Sequence, residues 1–187
     1  MIKKAAIFLD RDGVITVEKS YVRRACDMEI FEYSKECVEQ IHSLGYLAII
    51  ITNQSGVGRG YFSEEELLFM NERLIAETGV DAVYYCPHWY HEASTLPQYN
   101  VDCDCRKPKT GMIQQAVSAF REKEIELNLK DSYFVGDRGT DIRTGINAGM
   151  HTVLVESGYG SDTLEGVIPD EIYENLSDFV THLMPAV

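Results

Sequence analysis

The chain is 187 residues long, 45% hydrophobic and 25% charged, with a formal net charge of −13, the profile of one globular domain able to bury a core. No apolar run approaches the ~20 residues of a membrane span, and the negative balance disfavours non-specific attraction to nucleic acid or an acidic membrane. The first acid, Asp10, comes too early for a signal peptide, so a cytoplasmic monomer with no nucleic-acid or membrane partner is expected.

Ala5–Leu9 is a run of five small or apolar residues and reads as a short strand buried on both faces. It stops at Asp10-Arg11-Asp12, and Gly13 permits a tight bend. If the backbone stays extended through Asp12, the two carboxylates share a face, because side chains alternate along a strand. The residues that follow, to about position 33, lack a period and are expected to form a loop over the strand end. Ser34 is expected to cap a helix running to Leu44, with Val38, Ile41 and Leu44 on one face and Gly45 as its stop. Tyr46–Ile51 is the second buried strand. It leads into Thr52-Asn53-Gln54-Ser55 and a glycine-rich turn, Gly56–Gly60, that contains Arg59. Ser63 and Glu66 match the two arms of a capping box, opening a helix to about Thr78 whose core positions are Leu67, Met70, Leu74 and Ile75.

Ala82–Tyr85 reads as a short third strand. Residues 86–105 then form a long irregular loop with two prolines, a length that in a compact domain marks function or a staple. Arg106-Lys107-Pro108-Lys109 leads into a helix over 111–123. Asp131–Val135 is the fourth strand, Gly139–Ala148 a helix stopped by Gly149, and Thr152–Val155 the fifth strand. A last helix, Ser177–Leu183, is expected to cover the sheet edge. This alternation predicts an α/β, Rossmann-like, mostly parallel sheet with helices on both faces. The segments 13–33 and 86–105 are too short to be domains, so residues 1–187 are expected to form one domain with no large cap.

Open α/β sheets bind ligands at the carboxyl ends of their strands, and four groups converge there. Asp10 and Asp12 follow the first strand and Thr52 the second. Lys107 precedes the 110s helix, and Asp137 follows the fourth strand with Asp141 one turn on. Acids, a hydroxyl and a lysine are the set that phosphoryl transfer needs, since that chemistry is mostly positioning and charge neutralisation. Asp10 and Asp137 can supply the one or two carboxylates that Mg²⁺ usually takes. An aspartate nucleophile forms an acyl phosphate that water can cleave, and Asp12 is placed to give and take the protons.

The segments FLDRDGVI, ITNQSG, RKP and VGDRGTDI occur in an order that resembles the four motifs of the haloacid dehalogenase superfamily of phosphatases, and they span residues 8 to 142. Each is weak alone; the ordered set is specific. The resemblance implies a nucleophile at Asp10, a general acid/base at Asp12, and phosphate-binding groups at Thr52 and Lys107. It further implies a magnesium site drawn from Asp10, Asp12 and Asp137.

Of five cysteines, Cys86, Cys103 and Cys105 share one loop with His88. An odd count without a signal peptide favours metal over disulfides. Three thiols and an imidazole make a tetrahedral Zn²⁺ set without an open position, so a structural role is expected. His91 competes with His88 as a ligand. Cys26 and Cys37 read as ordinary thiols. The long loop, together with NQSGVGRG, resembles the heptose 1,7-bisphosphate 7-phosphatases more than the related histidinol-phosphate phosphatases. Substrate contacts implied by that family fall at Glu18, Lys19, Ser20, Tyr21, Thr52, Asn53, Gln54, Ser55, Arg106 and Arg138. The implied substrate is a small phosphorylated sugar.

Arg59 reads first as a solvated side chain, with a role at a sugar or distal phosphate as the alternative. Asp141 suits the first turn of a helix for dipole reasons and is also a candidate acid behind the metal. Trp89 and the nearby tyrosines either line a sugar site or pack their own loop. Competing functions are a histidinol-phosphate phosphatase, a 3′-phosphatase on DNA ends and a phospho-accepting receiver domain. The charge of −13 argues against the DNA enzyme. The receiver needs its aspartate after the third strand, where Cys86 stands.

Overall fold

In the computed structural model, which describes residues 1–186, the strands are β1 (Ile2–Lys4), β2 (Ala6–Leu9), β3 (Leu47–Asn53), β4 (Ala82–Cys86), β5 (Ile125–Leu127), β6 (Tyr133–Gly136), β7 (His151–Val155) and β8 (Glu171–Tyr173). The helices are α1 (Ser34–Ser43), α2 (Glu64–Thr78), α3 (Gly111–Glu122), α4 (Gly139–Ala148) and α5 (Leu176–His182). The expected domain ended at Val187, which lies outside the described residues.

Six strands form one sheet in the order β4-β3-β2-β6-β7-β8, and every neighbouring pair is parallel. All of β2 is buried because both of its faces are covered, which is why its sequence runs apolar without alternation. On one face Ile7, Leu9 and Ile50 pack against Val38 and Ile41 of α1, Met70 and Leu74 of α2, and Phe179 and Val180 of α5. On the other, Phe8, Ile49, Ile51 and Phe134 meet Met112, Ile113, Ala116 and Phe120 of α3. Helix α4 lies beside α3, against β6 and β7. The chain builds outward from β2 in both directions, so the crevice between the ends of β2 and β6 is the switch point where such sheets take ligands.

Several sequence expectations change. The 60s helix does not bury Ile75, which is 42% exposed; Asn71 and Thr78 fill the inner face instead. Ser63 caps α2 by accepting from the Glu66 backbone N–H, but the Glu66 carboxylate leaves the box to accept from Ala25 N at 2.7 Å. Ser34 is no cap: its buried hydroxyl donates to the Ile15 carbonyl at 2.8 Å, tying the loop after β2 to the start of α1. Three short strands escaped the reading. Strands β1 and β5 pair with each other beside the main sheet, and β8 forms its outer edge. The tail helix packs next to α1 and also against the edge strand β8, where Phe179 meets Tyr173.

The two long segments are loops, as expected. The first folds back through an antiparallel bridge between Thr16 and Ile30. Among the described residues no helix is long and apolar enough to cross a membrane.

Candidate active site

Asp10 is the first residue past β2, and its backbone N–H donates to Val135 at the end of β6, at 2.9 Å. That bond ties the two strand ends that carry acids. Asp137 follows β6 and is fully buried. Gly13, at φ +84°, has no room for a side chain, since a Cβ there would stand 2.5 Å from Asp137 Oδ2. The glycine is thus required twice, for the turn and for the close approach of an acid. At Gly136 a Cβ would lie 2.1 Å from that of Asp141; its absence lets α4 turn straight back over the strand. Asp141 Oδ2 accepts from the Arg138 backbone N–H at 3.1 Å.

Lys107 is brought into this acid group by Asn53. The Lys107 backbone N–H donates to Asn53 Oδ1 at 3.0 Å, and Asn53 Nδ2 donates to the Lys107 carbonyl at 3.3 Å. Lys107 Nζ then reaches Asp10 Oδ1 at 2.8 Å and Asp141 Oδ1 at 2.6 Å, and it donates to the Ile51 carbonyl at 3.0 Å. Burial opposes the lysine's charge, but Asp10 and Asp141 hold its pKa above the ordinary value. The acids stay in excess. Burial, with the Asp141 charge adding to it, pushes Asp10 up to about 7 against the pull of Lys107. Burial, then the charges of Asp10 and Asp141, push Asp137 up to about 8.

Carboxylate oxygens of Asp10, Asp137 and Asp141 lie within 4.8 Å of one another, and Asp137 Oδ1 is buried without a hydrogen-bond partner. Crowded hard oxygens with one oxygen unsatisfied fit a small dication such as Mg²⁺. The carboxylate of Asp12, expected among the magnesium ligands, is not in this group. It is turned to the almost fully buried guanidinium of Arg11, which donates to both of its oxygens at 2.8–3.1 Å. It also accepts from Gln54 Nε2 at 2.9 Å and Thr16 Oγ1 at 3.1 Å. Burial works against its charge, but the Arg11 charge and these hydrogen bonds outweigh it and hold the pKa below the usual range. Arg11 went unremarked in the sequence, although it stands between two acids. Nothing in its spacing says which way a long side chain folds.

Beside these acids opens a cavity of about 500 Å³, lined by Asp10, Asp12, Thr52, Lys107 and Asp141 at its base. Glu18, Ser20, Tyr21, Asn53, Ser55, Arg106 and Arg138 also line it. Two of the expected substrate contacts are elsewhere. Lys19 is drawn to Glu29 at 2.8 Å. Gln54 is buried and donates to Asp12 and to Thr52 Oγ1, both at 2.9 Å, which leaves the Thr52 hydroxyl proton free to donate elsewhere. Arg138 lies over the Tyr159 ring at 3.6 Å and pairs with Glu18 at 3.6 Å. Arg59 lines it as well, and Tyr159 and Thr140, which complete the lining, were missed. The segment after β7, Ser157-Gly158-Tyr159, ends at the same sheet edge as the motifs, and that position was the available signal.

Next to the cavity, Cys86, His88, Cys103 and Cys105 bring four donor atoms within 4.8 Å of one another. The sulfurs are 3.1 to 3.6 Å apart, and His88 Nδ1 is 3.2 Å from Cys105 Sγ. Thiolates about 2.3 Å from a tetrahedral zinc stand roughly 3.8 Å from each other, so the set fits that ion after slight expansion. All five cysteines are free of disulfides. His91 is not in the group; its ring stacks on Trp89 at 4.9 Å and its Nδ1 accepts from the Ala93 backbone N–H.

A family model described as HAD-hydrolase-like matches residues 104–179. The chain is 41% identical over 161 residues to the D-glycero-beta-D-manno-heptose-1,7-bisphosphate 7-phosphatase of Pasteurella multocida, covering 83% of each chain. It is 40% identical over 161 residues to the D-glycero-alpha-D-manno-heptose-1,7-bisphosphate 7-phosphatase of Photorhabdus laumondii, covering 81% of this chain and 82% of that one. A crystal structure of D,D-heptose 1,7-bisphosphate phosphatase from B. bronchiseptica, complexed with magnesium and phosphate, superposes with a TM-score of 0.78 at 27% identity over 97% of both chains. On this likeness, and with the acids, hydroxyl and lysine gathered at one switch point, the chain belongs to the heptose 1,7-bisphosphate 7-phosphatase family of haloacid dehalogenase-like hydrolases.

Proposed function

We propose that the protein hydrolyses the 7-phosphate of D-glycero-D-manno-heptose 1,7-bisphosphate, with residues 1–187 acting as one phosphatase domain. The observation that carries the reading is the Lys107–Asp10 pair at the base of a cavity in a chain 41% identical to such an enzyme. An Asp10 oxygen attacks phosphorus, and the bond from phosphorus to the sugar oxygen breaks. Asp12 gives that oxygen its proton; a dianionic phosphoryl group arriving beside Asp12 raises its proton affinity, against the pull of Arg11. Asp12 then takes a proton from water, whose oxygen attacks the acyl phosphate and releases inorganic phosphate and free Asp10.

Lys107 and the Thr52 hydroxyl donate to the phosphoryl oxygens where charge builds up. Asp10 and Asp137, with Asp141 behind them, would hold Mg²⁺, which would supply the positive charge that lets two anions meet. Cys86, His88, Cys103 and Cys105 would hold Zn²⁺ and with it order the loop that delivers Arg106 and Lys107.

Phosphate release from both anomers of the heptose bisphosphate, from histidinol phosphate and from an aryl phosphate tests the reading. A heptose bisphosphate is expected to give the highest kcat/KM and a heptose 1-phosphate product. Preference for histidinol phosphate would replace the substrate, and no release from any of the four would remove the reaction.

A further inference from the structure

The cavity holds more cations than the reacting phosphate uses. Arg11 is committed to Asp12, Lys107 to Asp10 and Asp141, and Arg138 to Glu18, while Arg106, without a carboxylate partner, donates to the His88 carbonyl at 3.4 Å. Arg59 is different. Among the described residues no carboxylate forms an ion pair with it, and its Nε is buried without a hydrogen-bond partner. A guanidinium on the cavity lining that no carboxylate neutralises, in a protein of charge −13, favours an anion beside it, because a partly buried charge left unpaired is costly.

Its orientation is built. The Arg59 guanidinium lies over the Trp89 indole at 4.2 Å and over Tyr21 at 5.8 Å. A cation held over a ring face by its quadrupole is positioned without using up its N–H donors, which stay available to a phosphate. The turn that carries Arg59 is pressed onto the zinc loop. Gly58 N–H donates to the Pro87 carbonyl at 3.0 Å, and a Cβ on Gly58 would lie 2.8 Å from both that oxygen and Trp89 N. Trp89 itself donates from its backbone to Tyr99 at 2.9 Å. Two loops therefore hold one cation over the cavity that also contains Asp10 and Lys107.

We propose that Arg59, held over Trp89, binds the non-reacting phosphate of a sugar bisphosphate and so selects bisphosphates over monophosphates. This rests on the phosphatase reading above and names the subsite that recognises the far end of the substrate. The group bound is the second phosphate monoester, in whichever anomer it is presented.

The test uses the enzyme loaded with magnesium and zinc. It compares kcat/KM for heptose 1,7-bisphosphate with that for heptose 7-phosphate in the wild type, Arg59→Ala, Arg59→Lys and Trp89→Leu. In Arg59→Ala the bisphosphate-to-monophosphate ratio is expected to fall roughly tenfold or more, with the loss in KM. Arg59→Lys should recover part of the ratio as a point charge, and Trp89→Leu should lower it with Arg59 still present. The heptose 1-phosphate product should inhibit Arg59→Ala more weakly than the wild type.

If Arg59 merely pins its turn to the zinc loop, both substrates lose equally and the ratio does not move; that result overturns the proposal. Zinc content and thermal melting of each variant identify a folding failure, in which case the Arg59→Lys ratio and product inhibition decide. If the wild type rejects both heptose compounds, the assigned substrate falls. The same ratio measured with a hexose 1,6-bisphosphate against a hexose 6-phosphate then decides the role of Arg59 separately.

Discussion

Two clusters of side chains able to hold a metal ion stand side by side in this protein and are held in opposite ways. The acids are carried by rigid elements: Asp10 follows β2, Asp137 follows β6 and Asp141 sits in the first turn of α4. They come with their own counter-charge, the Lys107 ammonium between Asp10 and Asp141. The thiols have neither advantage. Cys86 ends β4, but His88, Cys103 and Cys105 lie on a loop whose only regular piece, Pro97–Tyr99, is one turn of 3-10 helix. The contrast teaches that the oxygen site is a charge problem the fold has half solved, while the sulfur site is an entropy problem left to its ion. Removing magnesium should silence the enzyme and leave it folded. Removing zinc should loosen part of it.

The sharpest attack on the acid cluster is Asp10→Asn, which removes the nucleophile and one magnesium ligand together; turnover should fall by roughly 10⁴-fold or more. Full activity in a preparation free of wild-type enzyme would sink the mechanism. Lys107→Met comes next. It leaves buried acids without their partner, so kcat and kcat/KM should both drop, on the order of 10²–10³-fold. A change confined to KM would mean that Lys107 only helps binding.

On the other side of the comparison, native protein is expected to hold one zinc per chain by elemental analysis. Cys105→Ser should lose the ion, make the 86–105 loop sensitive to protease, and lower activity by about tenfold or more while the sheet still melts cooperatively. Unchanged loop protection in a zinc-free variant would show that packing alone orders the loop.

The smallest effect is a pH dependence. Asp10 and Asp137 are raised to about 7 and about 8, so the native metal-free state holds more protons than the unfolded chain between the ordinary carboxylate range and pH 8. Its stability should therefore fall as pH rises through that window and level off above it. Magnesium competes with those protons, so its stabilisation runs the other way. Saturating Mg²⁺ should raise the melting temperature by on the order of 5 °C at pH 8.5 and by much less at pH 5.5. An equal shift at both pH values would mean that the buried acids are already ionised without metal. The thiol cluster should show no gain from magnesium at either pH.

Much of this was legible in one dimension, for a physical reason. Strands buried on both faces must be continuously apolar, so Ala6–Leu9 and Leu47–Ile51 announced themselves. Acids directly after such runs have nowhere to be but the strand ends. Three cysteines and a histidine within twenty residues, Cys86, His88, Cys103 and Cys105, were likewise visible as a group, and the structure brings their donor atoms together. What only the tertiary structure decided is the direction of long side chains and the pairing of distant ones. Arg11 folds onto Asp12, Gln54 turns inward to Thr52, Asn53 clasps Lys107 across 54 positions of sequence, and Arg59 lies on Trp89. Each is fixed by which neighbours the packed sheet leaves free to pay the cost of burying a polar group, and that depends on residues brought together by folding rather than on any period in the chain. The same holds for β8. Three residues with no pattern of their own become a strand only because β7 presents them an unpaired edge.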